Sequence, residues 1–119
     1  MKVRDQVDLG IVKVNKRFLS ELAYAVIQEI DGVVVADGSV RQKFQAFFLG
    51  MPHPAIEVVE DEPGEISLNI DVNVRLGLNI TDVARLVQDA VRTMIHKTVD
   101  LKARDVNVTI QGVIAKILT

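Results

Sequence analysis

Ile66-Ser67-Leu68-Asn69-Ile70-Asp71-Val72-Asn73-Val74-Arg75-Leu76 alternates apolar and polar residues without a break. Ile66, Leu68, Ile70, Val72, Val74 and Leu76 fall on one side; Ser67, Asn69, Asp71, Asn73 and Arg75 fall on the other. Successive side chains of a β-strand point to opposite faces, so this is a strand with one dry face and one wet face. At about 3.3 Å per residue it spans roughly 35 Å, longer than most strands. Such a strand has room for neighbours along both edges, which makes it the expected centre of a sheet.

Working outward, Ile56 to Glu60 is a short strand, and Asp61-Glu62-Pro63-Gly64 is a strong turn signal. Residues 56–76 therefore read as a β-hairpin. Gly77 breaks the alternation, and Asn79 or Thr81 can cap a helix with Asp82 in its first turn. Ile80, Val83, Val87, Ala90, Val91, Met94 and Ile95 form the expected buried stripe of that helix, with Leu86 at its edge. Val106 to Gln111 alternates again, with Val106, Val108 and Ile110 inward and Asn107, Thr109 and Gln111 outward. The tail from Val113 to Thr119 is apolar enough to dock.

Toward the N-terminus, Gly10 to Val14 is a short strand candidate, and Asn15 is a plausible N-cap. Phe18, Leu19, Leu22, Ala23, Val26, Ile27 and Ile30 follow helical spacing until Asp31-Gly32 stops the helix. Val33 to Ala36 leaves a strand and a buried connector open, the connector being favoured. Ser39 can cap a short helix carrying Val40, Phe44, Phe47 and Phe48, which Gly50 and Pro52 end.

The expected fold is α+β and a single domain. Its order is strand, helix, short helix, hairpin, helix, strand, with the helices on one face of a mixed or antiparallel sheet in a split-βαβ-like arrangement. Residues 1–9 read as a flexible lead-in and residues 10–119 as the domain. The 119 residues suffice for one core. Aromatics make up only 4%, so that core is aliphatic.

Composition excludes several kinds of chemistry. No cysteine is present, which removes disulfides, thiolate metal sites and cysteine nucleophiles. The formal net charge of -2 argues against a domain that works by neutralising phosphates. Met1 to Leu9 is charged and carries no apolar core of a signal peptide, and no apolar run approaches the ~20 residues of a membrane span. Glu57, Glu60, Asp61, Glu62 and Glu65 surround the hairpin turn, match no calcium loop, and read as a solvated turn rather than a metal site. His53 lies between two prolines and His96 near a helix end. Neither has a nucleophile and orienting group at a recognisable spacing. No cofactor is expected, and no enzyme.

Two surfaces are candidates for binding. Phe44, Phe47 and Phe48 concentrate the aromatic content, either as a short helix docked on the core or as an exposed patch for a partner. The outward positions Asn69, Asp71, Asn73 and Arg75 could contact another protein or simply be solvated. RNA-binding sheets stack bases on aromatics, and these positions hold none.

Three stretches, in order, resemble the bacterial alkaline shock protein family. They are Gly10-Ile11-Val12-Lys13-Val14 with the helix ending at Asp31-Gly32-Val33; Asp71 to Ile80; and Asp105-Val106-Asn107-Val108-Thr109-Ile110-Gln111-Gly112-Val113. The third is the most specific. The chain departs from the family at Leu76, where an aromatic is usual, at Thr98-Val99, where Thr-Gly is frequent, and over residues 37–55. The resemblance implies a non-enzymatic protein of stress response and cell-envelope homeostasis. It implies a cytoplasmic location, sometimes peripheral at the inner face of the membrane through a separate anchor protein, and frequent self-association or another protein partner. Some members are linked to fatty-acid metabolism. Two alternatives follow: a regulator tied to that metabolism, or a nucleic-acid-binding module using the polar sheet face.

Overall fold

A computed structural model describes residues 15–36 and 53–115. In chain order its elements are α1 (Lys16–Gln28), β1 (Val33–Val35), β2 (Ile56–Glu62), β3 (Glu65–Arg75), α2 (Ile80–Thr98) and β4 (Lys102–Ile114). The expected strand at Gly10–Val14, the lead-in 1–9, the short helix with Phe44, Phe47 and Phe48, and the end of the tail lie outside the described residues.

The alternating stretch is the hub of the sheet. β2 and β1 pair with it antiparallel and β4 pairs with it parallel, so the sheet is mixed. Asp71 N–H donates to Ala55 O and Arg75 N–H to Gly32 O, whereas Leu76 N–H donates to Ile114 O. Odd-numbered amides thus face one edge and even-numbered amides the other. β1 and β2 share the first edge end to end, and β4 runs along the whole of the second. β3 and β4 are direct neighbours joined through α2, so this βαβ unit is closed, with no strand between its two parallel members.

Val33–Val35 is a strand rather than a connector, its alternate residues Val33 and Val35 buried. Three valines carry no readable period, and the pairing of Val33 to Val74 and Val35 to Val72 decides the matter.

The hairpin shows why the chain needs an irregularity. Pro63 and Gly64 form the turn, and Gly64 has φ 83°, the sign required at the third position of a type II turn. Glu62 pairs with Glu65 across it. Continued without a break, that register would set Glu57 opposite Ile70 and turn it toward the core. A bulge at Asp61 inserts one residue, so Glu57 pairs with Asn69 while Ile56 and Val58 stay buried. On β4, bulges at Arg104 and Gln111 serve the same end. They hold Ala103, Val106, Val108, Ile110 and Val113 on one side, although two of the gaps between them are three residues long.

Both main helices lie on the apolar face and pack against each other, α1 over β1 and β2, α2 over β4. Asn15 caps α1, its side-chain oxygen accepting from Arg17 N–H at 2.7 Å and Phe18 N–H at 3.4 Å. Asn79, not Thr81, caps α2, accepting from Asp82 N–H at 3.0 Å. Losing either cap leaves an amide unsatisfied. Asn79→Ala is expected to lower unfolding stability by about 1 kcal/mol, read as a shifted urea midpoint with unchanged slope.

The buried residues of α1 are Leu19, Ala23 and Ile27 with Ser20, and those of α2 are Val83, Val87, Val91 and Ile95. Each seam steps by four residues, which advances about 40° beyond a full turn. From Val83 to Ile95 it therefore rotates by about 120° around the helix. This is why Phe18, Ile80 and Met94, expected on the buried stripes, are exposed at 45%, 47% and 36%. Among the described residues the buried core between the layers is aliphatic, with Leu68, Ile70, Val72, Val87, Val91, Ile95 and Ile27 fully buried and Tyr24 packed against its margin.

Candidate functional site

The face of the sheet away from the helices is not covered by any described element. Parity on β3 puts Glu65, Ser67, Asn69, Asp71, Asn73 and Arg75 there. Register adds Glu57 and Val59 from β2, Lys102, Asp105, Asn107 and Thr109 from β4, and Val34 from β1.

Polar side chains on this face are linked across strands. Asn107 Nδ2 donates to Asn69 Oδ1 at 3.0 Å, and Asn69 Nδ2 donates to Glu57 Oε1 at 2.9 Å. One transverse row thus joins β4, β3 and β2. In the next row the Ser67 hydroxyl donates to the Asp61 carboxylate, and Ser67 is buried. Arg75 reaches Asp31 at 3.3 Å, and Lys102 approaches Glu65 at 3.8 Å. These are solvent-exposed contacts, worth little to stability individually, but they fix the orientation of the side chains.

The face carries six acids, Glu57, Asp61, Glu62, Glu65, Asp71 and Asp105, against Arg75 and Lys102, both already in ion pairs, with Arg104 at its margin paired to Asp105 at 3.8 Å. Asp71, near the middle, has no ion-pair partner among the described residues. The field at this face is anionic.

Of the residues singled out in the sequence, Asn69, Asp71, Asn73 and Arg75 form one column on β3, with Asn69 exposed and the other three half-buried. Phe44, Phe47 and Phe48 lie outside the described residues. Sequence reasoning assigned Glu57 and Asp61 to the turn cluster. The bulge at Asp61 brings them instead beside Asn69 and Ser67, and only the mismatch between turn position and the two alternations could have signalled it.

The histidines stand apart from this face. His53 stacks on Tyr24 of α1, with ring centroids 3.9 Å apart and an interplanar angle of 12°. His96 is exposed in the last turn of α2, beside Lys97, where the helix dipole favours a cation. Among the described residues, no three His, Asp or Glu side chains converge as a metal ion would require. No helix among them is long and apolar enough to cross a membrane.

The sequence profile of one family matches residues 4–115, nearly the whole chain: the alkaline shock protein 23 family, described as having a cell envelope-related function. No curated protein and no solved structure matches the chain.

Proposed function

The chain belongs to the alkaline shock protein 23 family, whose function is cell envelope-related, and from that premise we propose that it acts without catalysis, as a protein-binding scaffold of envelope stress response. The observation that carries this reading is the outward face of the sheet, which no described element covers and whose side chains are held in place by cross-strand hydrogen bonds. Pre-ordered polar side chains lose little further freedom on binding, which favours a specific contact. On this reading the chain works in the cytoplasm, and any tie to the membrane is made through a separate anchor protein.

The sign of the face bears on the alternatives. Nucleic acid and anionic lipid surfaces are both repelled by an acidic face without free cations, and single-stranded RNA would also need stacking aromatics. A protein surface with basic groups suits it better.

The test is co-purification from native cells followed by rebinding of each identified partner to the purified chain. Asn69→Lys with Asn73→Lys adds two positive charges to the acidic face at outward positions. This double variant is expected to keep its stability within about 0.5 kcal/mol and to lose the partner. A partner retained in full by the double variant would leave the face idle. No partner at all would sink the scaffold reading.

A further inference from the structure

β1 and β2 lie end to end along one edge of β3, and the chain between them leaves and returns at a single residue, Asp71. Ala36 N–H donates to Asp71 O at 2.8 Å, and Asp71 N–H donates to Ala55 O at 2.9 Å. In an unbroken antiparallel ladder one residue opposite Asp71 would make both bonds. Here Ala36 supplies the donor and Ala55 the acceptor, so the Ala55 carbonyl stands in for that of Ala36.

Register and faces run on across the junction. Val35 pairs with Val72 and Ile56 with Ile70, partners two steps apart on β3. With residues 37–55 set aside, Val35 to Ala36 to Ile56 is also two steps. Val33 and Val35 are buried and Val34 is exposed; Ala36 is half-buried opposite the outward Asp71; Ile56 is buried, Glu57 exposed and Val58 buried. A mismatch of one residue at the junction would have turned Ile56 and Val58 outward.

We infer that β1 and β2 are two halves of one strand, that residues 37–55 are an insertion into it, and that the sheet with its outward face is complete without them. Joined, the strand reads Val33-Val34-Val35-Ala36-Ile56-Glu57-Val58-Val59. Its outward residues Val34, Ala36, Glu57 and Val59 then stand opposite Asn73, Asp71, Asn69 and Ser67. Among the described residues, the insertion gives the buried core only Ala55. Tolerance of an excision depends on the burial and hydrogen bonding of the backbone removed. The one described bond lost from the β3 ladder, to Ala55 O, is the one that Ala36 O can replace. The insertion also holds Phe44, Phe47 and Phe48, so the excision separates their contribution from that of the sheet face.

The test is a chain in which Ala36 is joined directly to Ile56. It is expected to unfold in one cooperative transition with a urea midpoint within about 1 M of the parent's, helped by the loop that no longer has to be closed. Nuclear Overhauser contacts between the α-protons of Val35 and Val72 and of Ile56 and Ile70, the close non-hydrogen-bonded pairs, are expected to persist together. The control joins Val35 to Ile56, removing one further residue, the half-buried Ala36. It puts Glu57 toward the core and is expected to lose about 2 M or more of midpoint, or the transition itself. A third chain keeps Ala36 and Ala55 and replaces residues 37–54 with a short glycine-serine linker; it is expected to fold like the parent. The inference is overturned if the directly joined chain does not fold, or is no more stable than the control. If only the linker chain folds, the two halves are not one strand; if neither folds, the core needs the insertion. Folding tests the insertion without recourse to the scaffold reading. A joined chain that folds but no longer rebinds the partners would count against the sheet face as their site and leave the insertion standing.

Discussion

Leu68→Ala is expected to cost about 2–5 kcal/mol of unfolding stability, while Asn69→Ala, one residue along, is expected to stay within about 0.5 kcal/mol. Leu68 is fully buried at the middle of β3, between Val58 of β2 and Val106 of β4 in register. Truncation there removes methyl groups from water-free surroundings and leaves a cavity that three paired backbones prevent from closing. Asn69 faces outward, and its contacts with Glu57 and Asn107 are exposed. Domains of this kind have about 5–15 kcal/mol in total, so the first variant can lose a large share of its stability. Urea unfolding followed by circular dichroism measures both. Equal effects at the two positions would contradict the two-faced strand.

Gly32→Ala is expected to lose about 2 kcal/mol, chiefly through the backbone. Gly32 is buried at the entry to β1 with φ 85°, a left-handed conformation that an L side chain resists. An added Cβ would stand 2.5 Å from Leu78 Cδ1. That atom is the end of a movable side chain, so part of the clash is relieved by rotation. Gly77 supplies the control: its φ is 99°, yet nothing lies near its missing Cβ. Gly77→Ala should therefore carry the backbone cost alone, and the difference between the two variants measures the Leu78 contact. Thermal or chemical unfolding of both is sufficient. If Gly77→Ala proved the more damaging, the close approach at Gly32 would have no energetic weight.

Legibility in the sequence followed the length of each periodic pattern. Leu68 and Asn69 could be assigned to opposite faces because the alternation persists over eleven residues. Asn15 and Asn79 could be read as caps because a short amide side chain before an apolar period has one common use. Val33–Val35 could not be settled, since a strand this short shows no period and is defined by its pairing with β3. Phe18, Ile80 and Met94 were placed on buried stripes because counting apolar residues on a wheel does not reveal that each contact seam follows steps of four. The outward face was half legible. Its β3 column comes from parity, but the row from Glu57 through Asn69 to Asn107 depends on a bulge at Asp61 and on a parallel register.

Every strand described attaches to β3, and none of the others pairs with another. This has a consequence for a chain emerging from the ribosome. Once Arg75 has left the ribosome, β1 and β2 can already occupy one side of β3, β2 through its local hairpin. The other side waits for α2 and β4, which are made later. Throughout that interval the nascent chain presents an unpaired edge of β3, and α2 is not yet there to pack on α1. The period between Arg75 and Ile114 is when this fold is most open to misassembly during its own synthesis, and the speed of translation over those residues sets how long it lasts.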